Sequence, residues 1–186
     1  MTHLREQVDM AETTVRTASS TAPMGSPSPG TVERWLASAH PSPGTAFREW
    51  GSVAELALIP LGWSFEAVRI SQDVVQRACG SGTRPVAPAW LAHRLNGGPV
   101  IHDPGFRRYY ALVPPSTTRT WCTPVAECLG EGTYLGVPRV DRIELDEHRH
   151  ASYWAVPMAR PGRLCAAVDV LALVVAGRYP VEEDES

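Results

Sequence analysis

At 186 residues, with 44% hydrophobic and 20% charged side chains, the chain has the size and composition of one ordinary globular domain and is too short for two large ones. Its net charge of −3 excludes a global electrostatic footprint for nucleic acid, although a local patch can still form. All 17 basic residues are arginine and the single asparagine is Asn96, a bias that reads as a GC-rich genome rather than as selection for phosphate binding.

Residues 1–30 are rich in Thr, Ser, Ala and Pro and close on Gly25-Ser-Pro-Ser-Pro-Gly30. They carry too little apolar surface to offset the entropy of ordering, which predicts a disordered tail with at most a weak helix over Leu4–Ala11. Residues 31–179 are expected to form a single domain, followed by an acidic, frayed segment over 180–186. Thr31–Ala39 reads as a helix with Thr31 as its cap and Val32, Trp35 and Leu36 as its apolar stripe, ended by Pro41-Ser-Pro-Gly44. Ala46–Trp50 adds one more turn. Leu56-Ala-Leu-Ile-Pro60 and Phe65–Ile70 read as strands, the second by its alternation. Ser71 is a good N-cap for a helix from Gln72 to Ala78, which Gly80-Ser-Gly82 stops.

Pro88–Leu95 is a further helix, with proline in its first turn and Gly97 just past its end. Val100–His102 and Arg107–Val113 are strands joined by the turn Asp103-Pro-Gly105, a hairpin. A long connection, 114–132, leads to strands over Thr133–Val137 and Ser152–Val156, separated by the charged loop 139–150. The final helix, Leu164–Ala176, is apolar almost all round. This run is interrupted by Asp169 and falls short of the ~20 residues a bilayer demands, so no membrane partner is expected. The fold class is α+β: a mostly antiparallel or mixed sheet of five to six strands with helices on one side.

One short pattern occurs three times: Tyr110-Ala-Leu-Val-Pro114, Tyr134-Leu-Gly-Val-Pro138 and Tyr153-Trp-Ala-Val-Pro157. Tyrosine and valine suit a pleated surface and proline closes a strand, which suggests three strands of one sheet. In a sequential meander, Pro114 and Pro157 would lie at one end and Pro138 at the other.

The candidate chemistry is sparse. His102 and Asp103 adjoin at a strand end, where an imidazole beside a carboxylate can act as a base or bind a metal. Neighbours on a strand point to opposite faces, however, and Asp-Pro-Gly is an ordinary turn. His148 and His150 share a face if extended, but no third metal ligand is obvious, and a solvated charged loop accounts for them. Cys79, Cys122, Cys128 and Cys165 show no C-x-x-C spacing and no secretory leader accompanies them, so reduced thiols in a cytoplasmic protein are expected. Arg107-Arg108-Tyr109-Tyr110 is the most suggestive stretch, because arginine beside aromatics on a sheet face can hold a phosphate and stack a base. There is no Walker sequence, no G-x-S-x-G and no H-E-x-x-H.

The segments Trp63-Ser-Phe-Glu-Ala-Val-Arg69, Gly98-Pro-Val-Ile-His-Asp-Pro104, Tyr109–Pro115 and Gly132–Pro138 resemble a family of small, functionally uncharacterised actinobacterial (Streptomyces-type) proteins. The middle two thirds of the chain carries this resemblance, and it implies no activity. More distantly, the same half is similar to the second part of primase–polymerase (prim-pol) domains. There, a glycine-rich turn leads to a strand with a catalytic histidine. Gly105-Phe-Arg-Arg-Tyr-Tyr110 would place Arg108 at that histidine, and Glu66 stands alone where an acidic pair would hold metals. The resemblance therefore implies a degenerate, non-catalytic relative.

The expectation is a non-catalytic cytoplasmic binding or regulatory domain, with no catalytic or metal residues assigned and no cofactor named. Its partner would be a protein, or a nucleotide or nucleic acid, held by His102, Asp103, Arg107, Arg108 and Tyr110. The alternatives are a metal-dependent nucleotidyl transferase using Glu66, Asp103 and Asp141, and a small hydrolase or thiol enzyme around His102 or Cys128.

Overall fold

The computed structural model describes residues 29–80, 86–146 and 148–178. Of the tail expected over residues 1–30, residues 1–28 lie outside the described residues, as do the helix within it and the acidic segment expected over 180–186, whereas Pro29 and Gly30 begin a helix. Within them, the helices are α1 (Pro29–Ser38), α2 (Pro43–Trp50), α3 (Gln72–Cys79), α4 (Pro88–Arg94) and α5 (Ala167–Ala176). The strands are β1 (Leu56–Pro60), β2 (Glu66–Ser71), β3 (Val100–Asp103), β4 (Arg108–Val113), β5 (Glu127–Leu129), β6 (Tyr134–Pro138) and β7 (Tyr153–Val156). Five of the strands form an antiparallel sheet in the order β5-β2-β4-β3-β7, and β1 pairs with β6 in a separate two-stranded sheet.

Local chemistry explains several of these elements. The Ser71 hydroxyl accepts the Val74 amide and caps α3, and Gly80 closes that helix in the left-handed conformation at φ +67°. The β3–β4 hairpin has Val100 opposite Ala111 and Asp103 opposite Arg108. In the β1–β6 pair, Leu61 donates to Thr133 and Arg139 to Glu55, while the Leu58 amide turns away from β6 to the Glu49 carboxylate at 2.9 Å. By that parity the ring nitrogens of Pro60 and Pro138 also point away from the partner strand, so neither proline removes a ladder hydrogen bond.

The sheet is covered on both faces. Val68, Ile70, Tyr109, Ala111, Val100 and Tyr153 pack under α3, α4 and α5. Ala67, Leu112, Ile101 and Trp154 pack under α1, α2, β1 and β6. Helices on one side only, as expected from the element order, is therefore too simple. Strands such as β7, buried at every position, need cover on both faces. The outer layer runs α1, α2, β1, β6, each packed on the next. It is anchored at the start of β2, where Trp35 of α1 stacks on Phe65 with ring centroids 5.8 Å apart. β6 enters this layer beside the start of β2, where the Leu61 amide donates to the Thr133 carbonyl, and indole hydrogen bonds from Trp50 to the Val137 carbonyl and from Trp154 to the Pro138 carbonyl hold it down.

The three Tyr-x-x-Val-Pro segments do not share one sheet. β4 and β7 flank β3 and run parallel to each other, so Pro114 and Pro157 do lie at the same end, but β6 belongs to the outer pair. The tyrosines differ accordingly: Tyr153 is buried under the helices, Tyr110 is half-buried on the opposite face, and Tyr134 is 64% exposed. Among the described residues no helix is long and apolar enough to cross a membrane.

Candidate binding site at the hairpin end of the sheet

The β3–β4 turn is built by short-range bonds. Asp103 Oδ1 accepts the Phe106 amide at 3.2 Å, and the Arg107 amide donates to the Pro104 carbonyl. Arg107 takes a positive φ of 53°, which turns it off the strand and toward α3. There its carbonyl accepts the Gln72 amide and its guanidinium meets Asp73 Oδ1 at 2.7 Å. The turn leaves Phe106 73% exposed at its tip.

From Arg108 onward the alternation is regular, and it divides the five residues expected to act together. Tyr109 and His102 face the helices, whereas Arg108, Tyr110 and Asp103 face the other way. Two cross-strand rows finish that face at the hairpin end, the first of them with Ile101 buried and Tyr110 half-buried against the outer layer. One is Glu127, Arg69, Tyr110 and Ile101, and the last is Ser71, Arg108 and Asp103. Arg69 is paired with Glu127. The half-buried Arg108 guanidinium has no hydrogen bond or ion pair among the described residues. The loop after β6 closes one side, because the His150 carbonyl lies 3.5 Å from where a Cβ on Gly105 would stand. The patch is an open shelf of a planar donor and a half-buried tyrosine ring, with the exposed Phe106 in the turn that leads into it.

His102 lies elsewhere. It is buried on the helical face and stacks on Tyr109, with ring centroids 4.1 Å apart and planes 7° from parallel. Its Nε2 bonds Gln72 Oε1 and its Nδ1 bonds the Tyr153 hydroxyl, both at 3.1 Å. A neutral imidazole, donating to the amide oxygen and accepting from the phenol, satisfies all three groups. Burial lowers its pKa from 6.5 to about 4, so it is uncharged at neutral pH. Burial also raises the phenol pKa of Tyr109 and of Tyr153. His102 is a saturated core histidine.

The acids proposed for metal chemistry are placed apart. Glu66 is buried at the start of β2, where Oε1 accepts the Ser116 amide at 3.0 Å and the Thr118 hydroxyl at 3.1 Å. Its Oε2 accepts the Thr118 amide at 2.7 Å. These donors belong to the single 3₁₀ turn Thr117–Arg119 and the residue before it, which the carboxylate ties to the sheet. A Cβ on Gly130 would stand 3.0 Å from Glu66 Oε1 and 2.8 Å from Thr118 Cγ2, so the pocket closes only over glycine. Cys128 Sγ lies 3.8 Å from Glu66 Oε2, and burial together with that carboxylate pushes the thiol up to about 12. Cys165, likewise buried, is pushed up to about 12.

Asp141 is chelated by Arg139, while Glu55 takes Arg139 at 2.8 Å and Arg142 at 3.0 Å. His148 and His150 are exposed on a turn organised by Asp146, whose Oδ1 accepts the amides of His148 and Arg149. Among the described residues no group of three or more His, Cys, Asp or Glu side chains is placed to hold a metal ion. Clefts among the described residues are lined by other groups than the shelf's. They follow Asp141–Asp146 (about 450 Å³), the outside of β5 near Trp121 and Cys128 (about 330 Å³), and the loop Arg160–Ala166 (about 540 Å³).

Arg69 and Phe106 belong to the shelf although the residue pattern alone did not single them out. Arg69 joins through its register with Tyr110, a pairing across 41 positions that no local pattern reveals. Phe106 is an apolar residue in a turn tip, and that was a signal in plain view. No protein-family model, curated protein or solved structure matches this chain.

Proposed function

We propose that this chain is a non-catalytic binding domain that takes a phosphate-bearing ligand, a nucleotide or single-stranded nucleic acid, on the shelf formed by Arg69, Arg108, Tyr110 and Phe106. The observation that carries the reading is the Arg108 guanidinium, without a partner among the described residues and set half-buried among neighbours whose own charges are matched: Arg69 by Glu127 and Arg107 by Asp73. A desolvated planar donor gains from a phosphate or carboxylate in two-point contact, and the rings beside it supply stacking surface. The burial of His102 and Glu66, and the raised pKa of the Cys128 thiol beside Glu66, support binding over catalysis. The distant resemblance of Gly105–Tyr110 to a primase–polymerase hairpin, read from the sequence alone, makes single-stranded DNA the first probe.

Fluorescence anisotropy with a labelled single-stranded oligonucleotide at about 50 mM salt tests the reading. The expected result is salt-sensitive binding that weakens by about tenfold or more in Arg108→Ala, the size of a lost charge-assisted contact. Equal affinity of the native protein and Arg108→Ala would overturn it. A protein partner is the second reading, favoured by Phe106 standing 73% exposed at the hairpin tip. In that case a cytosolic partner captured by the native protein is lost on Phe106→Ala while the oligonucleotide does not bind.

A further inference from the structure

We propose that this chain pairs with a second copy of itself, face to face, through the outer surface of the two-stranded β1–β6 ribbon. Strand alternation sends Ala57, Ile59, Leu135 and Val137 into the core and leaves Leu56, Leu58, Pro60, Tyr134 and Gly136 on the opposite face. A ribbon with one face in water ordinarily sets polar side chains there. None of these five is charged, and Tyr134 alone among them has a polar group on its side chain. The face is also smooth. A Cβ on Gly136 would stand 2.8 Å from Leu56 Cδ2, so Leu56 lies across β6 where only glycine leaves room.

The edges of the ribbon decide how a partner can approach. On the open edge of β1 the Leu58 amide is held by Glu49 and Pro60 has no N–H to offer, while the Pro138 carbonyl on the far side of β6 accepts the Trp154 indole. An added strand is thus poorly served, and association falls to the face. Area and charge then select the partner. Leu58 is 53% and Tyr134 64% exposed, and Trp63, in the turn at the Tyr134 end of the ribbon, is 83% exposed. Together they hold about 400 Å² of mostly apolar surface in water, taking about 200 Å² for each large side chain. A standard interface takes about 800 Å² from each partner, about 60% of it apolar, so these residues supply most of the apolar area that a stable pair needs. At the Leu56 end, Glu55 and Asp141 are already matched by Arg139, and no open charge there selects an oppositely charged partner. The complement of an uncharged apolar face is another such face, and a twofold axis closes the pair without leaving a surface for further growth.

Sedimentation equilibrium of the native chain between about 1 and 100 μM tests the pairing. The expected result is a mass that rises with concentration from the 20.2 kDa of one chain toward twice that value. Leu58→Arg and Tyr134→Arg each set a cation against an apolar face and its own copy. Both are expected to weaken the pairing about tenfold or more while leaving the circular dichroism spectrum unchanged, because both side chains are exposed. Val168→Arg, at an exposed apolar position on α5, is expected to pair as the native chain does. A native chain that stays at 20.2 kDa throughout overturns the proposal, as does a pair that both ribbon variants leave intact. Monomers that instead sediment with neutral phosphatidylcholine vesicles, and lose this on Leu58→Arg, would assign the face to a lipid surface and overturn it equally.

Discussion

His102 and Arg108 stand on adjacent cross-strand rows of one hairpin, His102 beside Tyr109 and Arg108 beside Asp103, and the fold uses them in opposite ways. The imidazole is enclosed by α3 and β7 and has a partner on each nitrogen. The guanidinium lies on the last row of the opposite face, half-buried, and has no partner among the described residues. The difference teaches which polar groups deserve a functional reading here. A buried group whose hydrogen-bonding capacity is filled is part of the architecture, whatever its reputation in catalysis. An unfilled donor at an edge is free to meet a ligand. Glu66 belongs with His102 on this criterion, because its oxygens are spoken for by one turn.

The comparison breaks most visibly if the filled groups can be removed cheaply. Glu66→Ala orphans the amides of Ser116 and Thr118 and unties the 3₁₀ turn, so the loss of stability is expected to be about 3 kcal/mol. Glu66→Gln, which keeps the shape and one acceptor, should lose about half of that. Urea midpoints measured at neutral pH decide it. A loss below about 1 kcal/mol for the alanine variant would mean that water satisfies those amides and that Glu66 is not the tie described.

His102 sharpens the comparison through pH. Its imidazole is neutral when folded, with a pKa of about 4, and titrates at 6.5 when unfolded. Between those values the unfolded chain binds the extra proton, so stability rises with pH across the window and is lost as pH falls from 6.5 toward 4. The full loss is about 3 kcal/mol, reached at and below pH 4. Carboxylates titrate in the same range, so the expected observation is a difference: His102→Phe, which keeps the stack on Tyr109, loses less stability between pH 7 and pH 4 than the native protein does. Parallel curves would contradict the buried neutral imidazole.

Much of the architecture was legible locally, and the failures share a cause. Ser71 announces α3 by its side chain and Gly80 ends it. The Asp103-Pro-Gly105 turn announces the hairpin, because both partner strands lie within a few residues. β5 was hidden within the long connection, since Glu-Cys-Leu is too short to alternate and its partner β2 lies some sixty positions earlier. The repeated Tyr-x-x-Val-Pro misled for the same reason: a strand's local sequence does not name its neighbour, and β6 pairs with β1 instead of β4 or β7. At the site, the alternation of β2 already placed Glu66 on a face with Val68 and Ile70, a carboxylate in apolar company. What could not be read was the 3₁₀ turn that satisfies it.

A smaller effect separates the cysteines by environment. Cys122 is exposed, whereas Cys128 is half-buried against Glu66 with its thiol pushed up to about 12. Because the thiolate is the reactive form, iodoacetamide at pH 8 should label Cys122 first and leave Cys128 largely unmodified, as read by mass spectrometry of peptides. Glu66→Gln removes the neighbouring charge and should speed labelling at Cys128. Prompt labelling of Cys128 in the native protein would reopen a thiol role.

The smallest effect on stability is expected at the residue proposed to bind the ligand. Arg108→Ala removes no hydrogen bond or ion pair among the described residues, so its cost in stability should stay within about 0.5 kcal/mol. Arg107→Ala breaks one ion pair between exposed side chains and should cost a similar amount. The two then part on the ligand, because Arg107 already has Asp73 and Arg108 has no partner among the described residues. Oligonucleotide affinity should fall by about tenfold in Arg108→Ala and only by a general, salt-dependent factor in Arg107→Ala. If Arg108→Ala destabilised the fold as strongly as Glu66→Ala, its guanidinium would be structural after all, and the distinction between filled and unfilled groups would fail at the residue chosen to represent it.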